Sequence, residues 1–373
     1  MPGAGGFSYL ALATLQAIHR LLVVGGVVLA QILLAPAASA SSPVFDPAAV
    51  YQVACAPCHG VSGRVPEGDP MLQHFKNVPA DFTDPLFNSR EPASDWFLVT
   101  KHGGPSLALS SQMPSFAEAF SDEEISALVA YVKQFPEDRG YPPGDLNFFL
   151  PIRTIKAFPE DEVVLKMRYQ DTDGVGSWRN IVELEKRIGR RHQVTLELIH
   201  EIEDDDGSLA EMELGWKTAL TWSLPRQFIL SGGANLAFPF AANSQVEAIP
   251  YLALGKGLSD SFTLQASARS HVPTERFEDG DFEASAIIHC LTTVWPRGVF
   301  PAFEVTAKAP FDPGDGDAVQ VSLTPQLHFG LSRGGHVRLN TGVEIPVSRR
   351  DYDFRVHAML IWDFADGWFW KRW

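Results

Sequence analysis

A chain of 373 residues, 45% hydrophobic and 20% charged, is long enough for one large domain or several small ones and too apolar for intrinsic disorder. Its formal net charge of −15 excludes a nucleic-acid partner, which would need a basic face, and leaves cationic partners open.

Residues 1–40 read as a signal peptide. His19 and Arg20 end a long, weakly cationic region, Leu21 to Ala35 forms an apolar run, and Ala38-Ser39-Ala40 is a small-residue cleavage site. The run is short for a membrane-spanning helix and carries Gly25 and Gly26; an uncleaved N-terminal anchor is the alternative. No later run reaches the roughly 18 apolar residues of a spanning helix, which leaves strands as the only route through a membrane.

Of the three cysteines, Cys55 and Cys58 stand close together and Cys290 stands alone. Cys55-Ala-Pro-Cys58-His59 is the pattern of covalent haem c attachment, in which both thiols add to the vinyl groups and the adjacent imidazole becomes the proximal iron ligand. A thioredoxin-like redox pair would need a βαβ setting that the flanking sequence lacks. Met113, in SSQMPSF after the loop His102-Gly103-Gly104-Pro105, is the expected second axial ligand, with His102, His74 and Met71 as rivals. A thioether opposite histidine raises the haem potential and leaves no open site, which suits electron transfer.

Helical signals frame these residues. FDPAAVYQVAC places Val50 and Val53 on an opening helix whose end delivers the cysteines. SDEEISALVAYVKQF starts with a capping box from Ser121 to Glu124, has acids in its first turn, and carries the stripe Ile125, Leu128, Val129 and Val132. With CAPCHG, MPSF and SDEEISALVAYV in that order, residues 45–135 resemble a class I monohaem cytochrome c domain, whose bounds we draw at 41–136. The resemblance implies an all-α fold, one covalent haem c bound through Cys55 and Cys58, and His59 and Met113 as the metal ligands.

Residues 137–161 carry Pro142, Pro143, Pro151 and Pro159 without a sustained period and are expected to form a semi-stiff linker. From residue 162 the period becomes two. Met212, Leu214, Trp216, Thr218, Leu220, Trp222 and Leu224 share one face, as do Phe354, Val356, Ala358, Leu360, Trp362 and Phe364. Such segments number about twelve, longer than the usual strand and with aromatics near their ends, as in an antiparallel membrane β-barrel. The connections alternate between longer or acidic ones (DTDGVGS, EDDDGS, PTERFEDGD, FDPGDGD) and tight, often basic ones (GRR, LPRQ, PRG, SRGG). Residues 162–373 are therefore expected to form an outer-membrane barrel; a soluble domain of two packed sheets is the alternative.

The polar face would line the lumen with Glu197, Glu201, Glu211, Glu213, Lys217, Arg338, Glu344, Arg355, His357 and Asp363, a mixture of signs that ion pairs would balance. No catalytic nucleophile, phosphate loop or metal-spaced cluster stands out there. Cys290 sits in an apolar strand and reads as an inert buried or lipid-facing thiol.

The combination resembles the fused monohaem cytochrome–porins. That resemblance implies an electron carrier rather than a classical enzyme, whose haem meets a small reductant, ferrous iron being the notable one. The expected partners are periplasmic electron-transfer proteins, outer-membrane lipid and a small reductant or solute. A helical domain of about ninety residues has a diameter near 30 Å and does not fit inside about twelve strands, so the haem is expected on the periplasmic side, beneath the pore. Two other readings remain: an outer-membrane solute channel with a cytochrome gate or tether, and a soluble periplasmic cytochrome with a β-rich binding domain.

Overall fold

The computed structural model describes residues 45–203, 206–241, 244–312, 319–365 and 368–370; the expected signal peptide lies outside them. Among the described residues no helix is long and apolar enough to cross a membrane.

The helical part opens with α1 (Pro47–Val50), where the Asp46 carboxylate accepts from the Ala48 and Ala49 amides and Pro47 fills the first turn. A π-helical turn, Tyr51–Cys55, leads directly into α2 (Ala56–His59). Then follow α3 (Pro85–Arg90), α4 (Ala93–His102) and α5 (Asp122–Val132). The capping box of α5 is complete: Glu124 N donates to Ser121 Oγ at 3.3 Å and Ser121 N to Glu124 Oε2 at 2.8 Å. All four residues of its apolar stripe are buried. The opening helical stretch, from the π turn into α2, meets α5 through Tyr51, Ala56, Leu128 and Val132, with Phe82, Trp96 and Phe135 packed around them.

The twelve strands are β1 (Glu162–Thr172), β2 (Val175–Ile188), β3 (His192–Glu203), β4 (Asp206–Ser223), β5 (Phe228–Pro239), β6 (Glu247–Ser259), β7 (Phe262–Pro273), β8 (Asp281–Cys290), β9 (Val299–Pro310), β10 (Gln320–Gly330), β11 (Val337–Pro346) and β12 (Phe354–Asp363). Each pairs antiparallel with its chain neighbours, and β1 pairs with β12 to close the barrel. Closure removes the sheet edges, the condition for a sheet to stand in lipid. The polarity is inverted relative to a soluble domain. Leu252, Val182 and Met167 point outward at 54%, 50% and 50% exposure, while Gln193, Ser231 and Glu304 are fully buried inside. A two-sheet soluble domain would bury the opposite face, so this is a transmembrane barrel.

Two local readings of the alternation and turns are corrected. A bulge between Ala219 and Thr221 shifts the register of β4, so Trp222 leaves the face of Leu214, Trp216 and Leu220 and packs against the inner cluster of Ala219 and Ile229. The connections also depart from a simple long–short rhythm. The turn between β1 and β2 is only Asp173-Gly174, both at positive φ, whereas the β8–β9 connection runs from 291 to 298. That longer connection meets the helical domain: Trp295 lies 5.1 Å, ring to ring, from His102.

Residues 137–161 do more than join two domains. Asp138 pairs with Arg190 at 2.7 Å in the β2–β3 turn, and the chain then enters the barrel. Leu146, Phe148, Ala157 and Phe158 pack against Ala219, Ile229 and Ala253 of the inner wall, and Leu150 and Ile152 against Val164, Met359 and Ile361. The segment runs inward to Arg153 and returns to begin β1 at Glu162. Gln265 Nε2 donates to Phe149 O at 2.7 Å and Asn340 Nδ2 to Leu150 O at 3.2 Å. Ile155 N donates to Ser267 Oγ at 3.0 Å, Ser231 Oγ to Ala157 O at 2.5 Å, and Glu160 N to Gln193 Oε1 at 2.7 Å. The lumen on the helical domain's side is thus filled by the chain's own segment. The domain itself stays at the mouth, where a cleft of about 970 Å³ separates Phe97, Val129 and Lys133 from Trp222, Leu224 and Val294.

Candidate functional site

The π-helical turn and α2 place Cys55, Cys58 and His59 on one continuous helical stretch, and all three are half-buried. A π turn inside a helix frequently marks a functional site. Gly60 ends the stretch at φ +77°, and a Cβ there would run into the Arg64 carbonyl, so only glycine makes this exit. Tyr51 Oη donates to Gly60 O at 2.7 Å and ties that exit back to the first helix.

His59 stacks on Phe82 with ring centroids 4.4 Å apart, and its Nδ1 lies 3.3 Å from Ala80 O. A hydrogen bond donated from Nδ1 fixes the tautomer that leaves the Nε2 lone pair for a metal. Burial lowers the His59 pKa, which keeps the imidazole in its neutral, ligating form. Both thiols are free of disulfides, and burial beside Cys58 pushes Cys55 up to about 11. Two thiols and an imidazole with one nitrogen committed are the donor set that covalent haem c requires. The residues present fit that group. Near the motif in the chain, Val53, Val61 and Val78 are strongly exposed.

Met113 is half-buried in a loop held from two sides. Gly104 N donates to Met113 O at 3.0 Å, and Phe116 N and Ala117 N donate to Thr100 O and Lys101 O at the end of α4. Gln112 clips this loop to the opposite stretch, accepting from Lys76 N at 2.9 Å and donating to His74 O at 2.8 Å. Glutamine at 112 carries no signal of that role in the sequence, since the two strands of the clip are 36 residues apart. Of the rival ligands, His102 lies against Trp295 of the barrel, and His74 is exposed beside the clip.

The charged residues expected in the lumen are there, and most are paired. Lys166 joins Glu183 at 2.5 Å and Glu197 at 3.7 Å, Arg179 joins Glu201 at 2.6 Å and Glu211 at 3.4 Å, and Glu344 takes Arg355 at 3.1 Å and His357 at 2.9 Å. Lys217 donates to Phe158 O at 3.2 Å, which ties a wall charge to the inserted segment. Glu160, Glu162 and Asp363 approach within 4.8 Å of one another, but Lys156 pairs with the two glutamates and Arg338 with Glu162, so resident cations already balance the cluster.

A family model described as cytochrome c oxidase, cbb3-type, subunit III, matches residues 43–132. No curated protein matches the chain. Among solved structures, an outer-membrane channel from Pseudomonas putida F1 is similar at 10% identity and TM-score 0.45, covering 58% of this chain and 99% of that one. The KdgM porin and the NanC porin each have TM-score 0.41, at 11% and 9% identity, covering 54% and 53% of this chain and 99% and 97% of theirs. The closure of the barrel rests on this chain's own strand pairing. The chain is an N-terminal helical cytochrome c-type domain, to which haem c belongs, followed by a closed twelve-stranded antiparallel β-barrel.

Proposed function

We propose that this protein is an outer-membrane electron carrier in which the barrel anchors a haem c domain at its periplasmic mouth. The observation that carries this reading over a solute channel is the inserted segment, residues 146–161, which fills the lumen next to the helical domain. Cys55 and Cys58 would hold one haem, with His59 and Met113 on the iron; when bound, it supplies a one-electron couple. The periplasmic assignment is supported by 189–191, 224–227 and 260–261, the short ones among five connections at the domain's end of the barrel, where 291–298 is the longest. Four of those at the other end, 240–246, 274–280, 311–319 and 347–353, have seven or more residues, and outer-membrane barrels keep their short turns on the periplasmic side. The proposal takes periplasmic electron-transfer proteins and a small reductant, ferrous iron among the candidates, as the partners.

Haem-stained gels of boiled and unboiled outer membranes, together with proteoliposomes carrying the protein, test the reading. We expect a haem band in that fraction that shifts on boiling, haem reduction by an added donor, and little solute flux. Met113→Ala should leave covalent haem intact and convert the spectrum towards high spin. Haem staining confined to the soluble periplasm removes the membrane part of the proposal, and solute flux that persists without haem restores the channel.

A further inference from the structure

Among the described residues, the tip of the inserted segment and the wall beyond it bring together five arginines, Arg153 on the segment and four on the strands, and four of the five have carboxylate partners. Arg153, at the tip of the segment, pairs with Glu283 at 2.6 Å, and Arg269 shares that carboxylate at 2.5 Å. Arg355 pairs with Glu344, and Arg179 with Glu201 and Glu211. Arg168, on the inward face of β1, is the exception. Its side chain makes no hydrogen bond or ion pair among the described residues, and its Nε is buried without a partner. The strand register sets it directly opposite Arg179 on β2 and His357 on β12. Its charged neighbours include the guanidiniums of Arg355, Arg179 and Arg153 and the carboxylate of Glu344. Glu344 has no capacity to spare: it already accepts from Tyr352 Oη at 2.6 Å, from Arg355 and from Ser322, and it faces His357 Nε2 at 2.9 Å.

Like charges on opposed residues repel, and a buried donor without an acceptor is costly, so this placement is unfavourable for the empty wall. It becomes favourable when an anion completes it. Arg168 is partly exposed, so solutes in the lumen reach it. A guanidinium offers two parallel N–H groups that match the paired oxygens of a carboxylate or phosphate. We propose that Arg168 is the principal ligand of a small-oxyanion site on the lumen wall, for a carboxylate or a phosphate.

The test uses the haem-loaded full chain in detergent, titrated calorimetrically with inorganic phosphate and, separately, with acetate, at constant ionic strength set by chloride. Saturable binding of one or both is expected, and the stronger arm identifies the class. Arg168→Gln should weaken it by about tenfold or more, the loss that follows from removing a charge-assisted hydrogen bond. Arg168→Lys, which keeps the charge and loses the fork, should fall between the two. The boiling shift of the barrel band checks that each variant is folded. No saturable binding by the wild-type protein, or equal binding by folded Arg168→Gln, overturns the proposal.

Discussion

Glu304 holds the tip of the inserted segment, and replacing it by leucine isolates that contact. The carboxylate is fully buried on β9 and accepts from Arg153 N at 3.1 and 3.2 Å, from Thr154 N at 2.6 Å and from Thr154 Oγ1 at 2.6 Å, with Gln326 Nε2 as a further donor. Leucine fills similar volume and accepts nothing, so two backbone amides lose their partner. Each buried orphan costs about 1–3 kcal/mol, which gives about 2–6 kcal/mol against the closed tip. Lumen water on the side of Arg153 replaces part of the loss and places the result near the low end. About 2 kcal/mol raises the open population roughly 30-fold. The tethers at Ser267, Ser231 and Gln193 are untouched, so the segment should loosen at its tip and stay anchored at its base. Amide exchange at Arg153 and Thr154 should therefore accelerate about that much while exchange at Glu160 stays as it was. Planar-bilayer recordings should gain intermittent conductance. Unchanged exchange at Thr154 in a folded Glu304→Leu barrel would refute the view that this carboxylate closes the lumen.

Asp161 is buried at the junction, where it receives Arg90 of the cytochrome domain at 3.3 Å, Lys186 of β2 at 2.5 Å and the Arg187 amide at 3.2 Å. Asp161→Asn should cost about 3 kcal/mol, the lower bound for breaking a buried pair, because Lys186 is itself half-exposed; limited proteolysis should then cut residues 137–145 faster. Burial pushes the Asp95 carboxyl up to about 6. The folded domain then keeps a proton that the unfolded chain has lost, so its stability falls as pH rises from about 4 to 6. Denaturation of the haem-loaded chain should show that slope, and Asp95→Asn should flatten it.

What could be read from the sequence was whatever local chemistry sets. The capping box at Ser121, the stripe from Ile125 to Val132 and the motif at Cys55 each act within a turn or two of chain, and the alternation of the strands repeats often enough to be counted. Residues 146–161 were opaque because their structure is set by partners far away. Asn340 reaches Leu150 across 190 positions and Glu304 reaches Thr154 across 150. An extended segment broken by Pro151 and Pro159 has no period of its own to reveal it. Trp222 was misplaced because a one-residue bulge reverses everything beyond it, and the isolation of Arg168 exists only in the register of β1 between β2 and β12.

The polarity of the inner face is what separates an anchor from a channel. Read alone, inward Gln193, Lys217, Ser231, Gln265, Ser267, Glu304 and Asn340 look like the wall of a wet pore. In the folded chain each of them bonds a backbone group of the inserted segment. An extended stretch inside a barrel has no neighbouring strand, and its buried amides and carbonyls must still find partners. The wall side chains act as that missing strand. Opening the lumen would strand both sets of polar groups unless water replaced every bond at once. Polar residues that would favour conduction in an empty barrel therefore oppose it here, and they hold fast the segment to which the cytochrome domain is joined.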